Sequence, residues 1–156
     1  MTRRFCAALL VFALGAASGC VPMTFSREPA LDFGIYRHAA VHVSLSGSVG
    51  FYDPTSAAVY LAAELEEHSG FERVSVGNTE AADVLLSVQV RVSARVDYSG
   101  DYPEYSYRSE ASFRATDPNG VVVDSGHVSD SSQSPGEAVQ DALDEVTLHY
   151  LRPYRL

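Results

Sequence analysis

The chain has 156 residues, of which 46% are hydrophobic, and it carries a formal charge of −9 at pH 7. This length suits one domain that buries its own core, and two cysteines are too few for a disulfide-stapled scaffold. Because like charges repel, the acidic balance disfavours nucleic acid phosphates and anionic lipid head groups. We therefore expect no nucleic acid partner.

The N-terminal segment has the three parts of a secretory signal peptide. Thr2-Arg3-Arg4 is basic, residues 5–17 are apolar, and small residues precede Cys20. The apolar run of 13 residues is shorter than the about 20 that a membrane-spanning helix needs. We therefore predict that residues 1–19 are a cleaved signal peptide. Removing these 19 of the 156 residues leaves 137, with nine Arg, no Lys and 20 acids, a formal charge of −11.

Ala17-Ser18-Gly19-Cys20 resembles the lipobox of bacterial lipoproteins, although the family usually has Leu at the position of Ala17. The resemblance implies that the Cys20 thiol receives a diacylglyceryl group and that the chain is cut before it. Val21 replaces the Asp associated with inner-membrane retention, so the resemblance favours the outer membrane. Each buried methylene of an acyl chain contributes about 0.8 kcal/mol, so two or three chains anchor a protein almost irreversibly. An ordinary signal peptide with an incidental cysteine is the alternative.

The segment after Cys20 is predicted to be a tether. Residues 20–30 include two prolines and no hydrophobic periodicity. We therefore predict a lipidated N-terminus and a flexible tether over residues 20–30, followed by a single domain over residues 31–156.

The first half of the domain is predicted to contain a strand, a helix and a second strand. Residues 39–46 alternate between apolar and polar side chains, which is typical of a half-buried strand. A helix begins at Asp53-Pro54, because the carboxylate accepts from unpaired amides and proline suits the first helical position. This helix is predicted to end at Gly70, and residues 71–76 form a short strand.

The second half is predicted to contain three strands and a helix. The alternation over residues 84–98 is the strongest periodic signal in the chain and predicts a long strand with one apolar face. The turn residues 117–120 join a strand over 105–115 to one over 121–129. A polar loop over 130–135 leads into a helix with a capping box from Ser134 to Glu137, and Pro153 stops that helix.

Each predicted helix has one apolar stripe, and the long strand has one apolar face. We therefore predict an α+β, two-layer sandwich, in which two helices cover one face of an antiparallel or mixed sheet of about five strands. In element order, the domain resembles small envelope lipoproteins whose two helices cover a sheet. These include lipoprotein partners in lipopolysaccharide insertion and in curli secretion.

The sequence contains no recognisable catalytic motif. It has no G-x-S-x-G elbow and no glycine-rich phosphate loop, and Cys20 is the only cysteine after the predicted cleavage point. Ser125, His127 and Asp130 could be assembled as a hydrolase triad, but nothing nearby predicts a strained nucleophile or an oxyanion hole. We therefore predict no catalytic residues.

Metal and cofactor sites are not predicted either. On a strand, His38 and His42 would lie about 13 Å apart, too far for one ion. Asp117, Asn119 and Asp124 faintly resemble a calcium loop but lack its terminal Glu, and a hairpin turn explains them. The remaining histidines are interpreted as surface or rim residues; they are His68, His127 and His149.

Two sets of side chains are candidate binding surfaces. One is a tyrosine cluster around a strand connection, and tyrosine is enriched at protein interfaces. Its members are Tyr98, Tyr102, Tyr105 and Tyr107. The other is a set of arginines on the predicted polar face of the sheet: Arg91, Arg95, Arg108 and Arg114. Alternatively, Tyr98, Tyr105 and Tyr107 pack at a sheet end while Tyr102 lies on a mobile loop. The arginines would then pair with Glu110 and Asp97 in a solvated ladder.

Together these features predict an outer-membrane envelope lipoprotein that faces the periplasm and acts without catalysis. Its function would be to bind or scaffold an envelope protein partner. Two alternatives stay open: a cell-envelope hydrolase without a readable motif, and a purely structural envelope protein.

Overall fold

A computed structural model describes residues 31–77, 79–98 and 102–151. The predicted signal peptide, the tether and Cys20 lie outside these residues. The described part contains five strands and two helices: β1 (His38–Gly47), α1 (Pro54–His68), β2 (Arg73–Val76), β3 (Val84–Asp97), β4 (Glu104–Thr116), β5 (Val122–Ser132) and α2 (Pro135–His149). Neither helix has both the length and the apolar character that crossing a membrane requires.

The strands form one mixed sheet in the order β2-β1-β3-β4-β5. β1 runs parallel to both β2 and β3, whereas β3, β4 and β5 are antiparallel to their neighbours. α1 connects the parallel strands β1 and β2, as a parallel pair requires a crossover. The predicted fold class, a mixed sheet with two helices in an α+β arrangement, is confirmed.

Both helices begin at capped N-termini, as the sequence predicts. The Asp53 carboxylate accepts hydrogen bonds from the backbone amides of Thr55 at 2.9 Å and Ser56 at 3.0 Å. Hydrogen bonds to Ser56, first from its hydroxyl, lower the pKa of Asp53. At α2, the Ser134 hydroxyl accepts from the amide of Glu137 at 3.2 Å. These caps fix where the two helices enter the layer that covers the sheet.

The hydrophobic core lies between one face of the sheet and the two helices. Its strand side includes five buried valines and leucines of β3 at every second position, from Val84 to Val92. Leu61 and Leu65 of α1 and Leu143 of α2 are fully buried against this face. The apolar face of the strand, which repeats every two residues, and the apolar stripe of each helix therefore pack together in one core.

Two boundaries differ from the predictions. β5 continues to Ser132, where the sequence predicts a loop from residue 130, because its residues keep pairing with β4 up to Tyr107. The predicted apolar face of β3 extends to Tyr98, but burial stops at Val92. β1 makes its last pair with β3 at Val92, opposite Gly47, so the remainder of β3 extends past the covered part of the sheet.

Candidate functional site

The end of the β3–β4 hairpin projects beyond the rest of the sheet. We call residues 93–98 and 102–107 the hairpin arm. β1 pairs with β3 only as far as Val92, and β5 pairs with β4 only as far as Tyr107. Past that point β3 and β4 pair with each other alone, up to Asp97 and Glu104. Beyond the pair of Ala94 and Tyr107, the arm is thus a two-stranded extension of a five-stranded sheet.

The side of the arm that continues the core face is apolar and exposed. Side chains alternate along a strand, so Ala94, Val96 and Tyr105 lie on the same side as the core valines. Val96 is 38% exposed and Tyr105 is 56% exposed. The alternation that corresponds to buried side chains in the first part of β3 therefore corresponds to an uncovered apolar surface in the arm.

The four candidate tyrosines divide between the arm's tip and its base. Tyr98 is 78% exposed and Tyr102 is 82% exposed, and these two flank the connection between the strands. Tyr105 lies on the arm's apolar side, whereas Tyr107 is half-buried and packs against the edge of the core. Packing at a sheet end therefore explains Tyr107 but not the other three.

The opposite face of the sheet, which the helices do not cover, is polar. We call it the outer face, and strand register places its side chains in rows across four strands. The three central rows are His42, Ser87, Arg114 and Ser125; Ser44, Gln89, Ser112 and His127; and Ser46, Arg91, Glu110 and Ser129. Further along, Ser93 lies opposite Arg108, and Arg95 opposite Ser106. The four candidate arginines therefore share this face.

The predicted ladder of ion pairs is reduced to one contact. Arg108 Nε lies 3.5 Å from Glu110 Oε1, two residues along the same strand. Arg91 stands opposite Glu110 in the register, yet Arg91, Arg95 and Arg114 make no ion pair with any described residue. Three guanidinium groups on this face are therefore available to a ligand.

A shallow groove runs across the centre of the outer face. Two adjoining cavities, of about 710 Å³ and about 440 Å³, share Gln89, Ser112 and His127 as lining residues. The Ser112 hydroxyl lies 3.2 Å from His127 Nδ1, which links the two strands at the groove floor. Arg114 lines one end of the groove and Arg91 the other.

The residues considered as a hydrolase triad are not brought together. Ser125 and His127 point to the outer face, whereas Asp130 pairs with Ser109 in the register and lies on the opposite face, because side chains alternate along β5. His127 contacts Ser112 instead of either triad member.

The residues considered as metal ligands are also separated. The Asp117 carboxylate accepts from the amides of Asn119 at 2.9 Å and Val121 at 2.8 Å, as the predicted hairpin turn requires, and these bonds lower the pKa of Asp117. His38 lies 3.9 Å from Asp83, and its own amide also donates to that carboxylate. Residues 31–77, 79–98 and 102–151 contain no group of three or more ligating side chains that could hold a metal ion.

A partly buried hydrogen bond between His149 and Asp124 joins β5 to the end of α2, and sequence reasoning missed it. His149 Nε2 lies 2.8 Å from Asp124 Oδ2, and the two side chains are only 20% and 16% exposed. The imidazole packs 4.7 Å from the Phe113 ring and 4.9 Å from the Tyr150 ring, measured between centroids. The alternation of side chains along β5 was the one signal available in the sequence. It places Asp124 at an inward-facing position, like Gly126 and Val128.

The neighbouring Tyr150 is the largest fully buried side chain, and its hydroxyl has no hydrogen-bond partner among the described residues. Burial, followed by the nearby negative charge of Asp124, raises the pKa of Tyr150. A buried hydroxyl without a partner costs about 1–3 kcal/mol. We therefore expect Tyr150→Phe to leave the free energy of unfolding at pH 7 unchanged or to raise it by about 1 kcal/mol.

The pH dependence provides a second readout for Tyr150→Phe. Because the folded-state pKa exceeds the unfolded value of about 10, Tyr150 ionises first in the unfolded chain. The free energy of unfolding is therefore unaffected by this group below that pH and falls as the pH rises above it. Urea unfolding at pH 7 and pH 11 should show a smaller alkaline loss in the variant. The matched control is Tyr60→Phe, which removes a 2.7 Å hydrogen bond to Asp144 and should destabilise at pH 7. Equal losses in both variants at pH 7 would contradict the unpaired state of the Tyr150 hydroxyl.

Solved structures share this fold. The PelC dodecamer from Paraburkholderia phytofirmans is similar with a TM-score of 0.57 and 20% identity, over 80% of this chain and 94% of that chain. Protein XCC0632 from Xanthomonas campestris is similar with a TM-score of 0.50 and 16% identity, over 78% and 83% of the two chains. Hypothetical protein CT253 from Chlamydia trachomatis has a TM-score of 0.50 and 9% identity, over 72% and 94%.

These similarities concern the fold alone, because identities of 9–20% do not carry function. No protein-family model matches the chain, and no curated protein matches it in sequence. The chain is thus a two-layer α+β protein of the architecture seen in PelC, with an exposed hairpin arm and an open polar sheet face.

Proposed function

We propose that this chain is an exported, lipid-anchored envelope protein that acts as a non-catalytic binding or assembly module, with the hairpin arm as the surface that docks a protein partner. The observation that carries this proposal is the uncovered apolar side of the arm. Ala94, Val96 and Tyr105 continue the sheet face on which the preceding residues, Val90 and Val92, are fully buried.

The composition of the arm suits a protein partner. Tyrosine supplies a large apolar area with a polar tip and is enriched at interfaces, whereas exposed apolar surface without a partner is unfavourable. Tyr98 and Tyr102 extend the exposed area to the arm's tip. A partner that covers Val96 and Tyr105 would remove this surface from water.

The position of the arm supports a partner other than the anchoring membrane. β3 starts beside the start of β1, since Ala39 pairs with Val84, and the proposed tether enters β1 from that same end. At about 3.3 Å per residue, the 14 residues of β3 carry the chain about 43 Å from this end to the arm. The arm is thereby held at the end of the domain opposite the proposed lipid attachment.

A second copy of the chain is a further candidate for the partner. The similar PelC structure is a dodecamer, so this fold supports assembly of identical chains. An arm that docks on a neighbouring copy would form a head-to-tail contact, which closes into rings when the rotation permits. Mass measurement of the intact assembly in detergent distinguishes self-assembly from a different partner.

The test replaces Val96 and Tyr105 together with Ser and measures crosslinking in the native host. Because truncation of a central interface aromatic costs about 2 kcal/mol or more, we expect at least about a 10-fold loss of partner binding. Both side chains are exposed, so folding measured by thermal unfolding should be unchanged.

The matched control is Val121→Ser at the β4–β5 turn, where the side chain is 56% exposed, the same fraction as Tyr105. This control should crosslink like the unmodified chain. Unchanged crosslinking in the Val96 and Tyr105 variant would remove the arm as the docking surface. Hydrolysis of cell-wall material by the purified chain would instead favour the hydrolase alternative.

A further inference from the structure

The charges of the domain are segregated between its two faces. The outer face carries the four arginines; Glu110 is the only acid among its central rows, and Asp97 and Glu104 lie on it past Arg95. The helices on the other side carry acidic side chains: Glu64, Glu66 and Glu67 on α1, and Glu137, Asp141, Asp144 and Glu145 on α2. The formal charge of −9 is therefore a sum over the whole chain and does not describe the outer face. An anion close to that face meets the arginines and not the acidic helices.

The arginines form a stripe along the two central strands. Arg114 lies opposite Ser87 and Arg108 opposite Ser93, so the four guanidinium groups follow β3 at the levels of residues 87, 91, 93 and 95. These levels span about 26 Å at 3.3 Å per residue, on strands about 4.8 Å apart. We call this feature the arginine stripe. It matches an extended ligand with repeated negative charges better than a single small anion.

Hydroxyl groups flank the stripe along its length. The outward-facing serines of β1, β3, β4 and β5 are Ser44, Ser46, Ser87, Ser93, Ser106, Ser112, Ser125, Ser129 and Ser131. From the level of Ser87 to that of Arg95, every outward side chain of β1, β3, β4 and β5 is polar. The groove containing Gln89 crosses the stripe between Arg114 and Arg91.

This chemistry disfavours a protein as the occupant of the outer face. Protein interfaces have a water-free apolar centre and are depleted in serine. The outer face has no apolar centre and is rich in serine. Hydroxyls and amides both donate and accept hydrogen bonds, as sugar hydroxyls do. Arginine binds carboxylates through paired hydrogen bonds of fixed geometry.

We infer that the outer face binds a linear acidic polysaccharide, with its carboxylates on the arginine stripe and its hydroxyls on the flanking serines and Gln89. Unlike sites for neutral sugars that rely on stacking, the outer face between Ser87 and Arg95 presents no Phe, Tyr or Trp ring, and its rings are the imidazoles of His42 and His127. Charge is therefore the main source of affinity, and binding should weaken steeply as salt screens it.

The experiment measures binding of polygalacturonate oligomers to the purified full chain in detergent, with dextran of the same length as the neutral probe. We expect polygalacturonate to bind and dextran to bind at least about 10-fold more weakly, with affinity for the acidic polymer decreasing as salt rises. Arg91→Ala combined with Arg114→Ala should reduce the affinity for polygalacturonate at least about 10-fold.

Two further variants separate the site from general charge and from misfolding. Arg37→Ala removes one positive charge outside the stripe, where Arg37 lies 3.4 Å from Glu72, and should retain binding. Gln89→Glu adds a negative charge to the groove without removing an arginine and should weaken binding. Equal losses in the Arg37 variant and the double variant would overturn the location.

Polyglutamate of matched charge is the probe for an acidic protein ligand. Binding of polyglutamate as tightly as polygalacturonate would overturn the assignment to a polysaccharide, and absence of polygalacturonate binding would overturn the site altogether. The variant with Ser at Val96 and Tyr105 should bind polygalacturonate like the unmodified chain. Failure of the arm proposal and failure of the stripe proposal are thus separate results.

Discussion

Replacing Gly47 with Ala is expected to lower the free energy of unfolding by about 2–5 kcal/mol. Gly47 ends β1 with a φ of +85°, and an added Cβ would lie 2.1 Å from the carbonyl oxygen of Val92. The left-handed conformation alone costs an alanine about 1–2 kcal/mol, and the forced backbone shift adds about 1–3 kcal/mol. That same carbonyl accepts a 2.9 Å hydrogen bond from the amide of Ser48, so the shift would also disturb the turn out of the strand.

Gly77 provides a matched control for this substitution. Its φ is +71°, but among the described residues no atom beyond its chain neighbours lies within 4 Å of the Cβ that alanine would add. Gly77→Ala should therefore lose only the conformational part, about 1–2 kcal/mol. Urea unfolding of both variants measures the difference. Equal losses would show that the close approach of Val92 to Gly47 does not constrain the end of β1.

Replacing Cys20 with Ser is expected to move the protein from the membrane fraction to the soluble fraction almost completely. The proposed acyl chains are attached through the Cys20 thiol, which serine lacks. Each methylene buried in the bilayer contributes about 0.8 kcal/mol, so two long chains provide far more than the domain's surface could replace. Intact mass of membrane-extracted protein should show a chain that starts at Cys20 with added lipid.

Cys6→Ser is the matched control, since Cys6 is the chain's only other cysteine and lies in the predicted signal peptide. The control should leave both the mature mass and the membrane association unchanged. A mature chain that starts at another residue, or an unmodified Cys20, would contradict lipidation and with it the proposed placement of the domain.

The order and type of the elements could be predicted because the local signals agree with one another. The alternation from Val84 to Val92 and the caps at Asp53 and Ser134 each specify a local structure that the tertiary fold retains. Both helices cover the same face of the sheet because β3 has a single apolar face on which the apolar stripe of each helix can be buried.

The partners of each strand could not be predicted from the same signals. Nothing in residues 39–46 indicates that β1 lies between β2 and β3 and parallel to both, because alternation gives the face of a strand and not its neighbour. For the same reason, the sequence does not predict that burial along β3 ends at Val92. The pattern of β3 continues to Tyr98, and only the shorter length of β1 and β5 exposes the arm.

The candidate surfaces were predicted as residue sets, and the structure adds their arrangement. Alternation placed the four arginines on one polar face, but their order along the stripe depends on the pairing of β3 with β4. The hydrogen bond between Asp124 and His149 joins residues 25 positions apart in sequence. It could not be inferred, since it requires knowing that the end of α2 packs on β5.

Because side chains alternate along the strands of the arm, the two proposed ligands would bind on opposite sides of it. Val96 and Tyr105 face one side of the arm, while Arg95 and Ser106 face the other. A protein seated on the first side and a polymer lying on the second would be separated by a single layer of backbone and would not compete. Both could be held at once, and the chain would then act as a bridge, with saturation by either ligand leaving the capacity for the other intact.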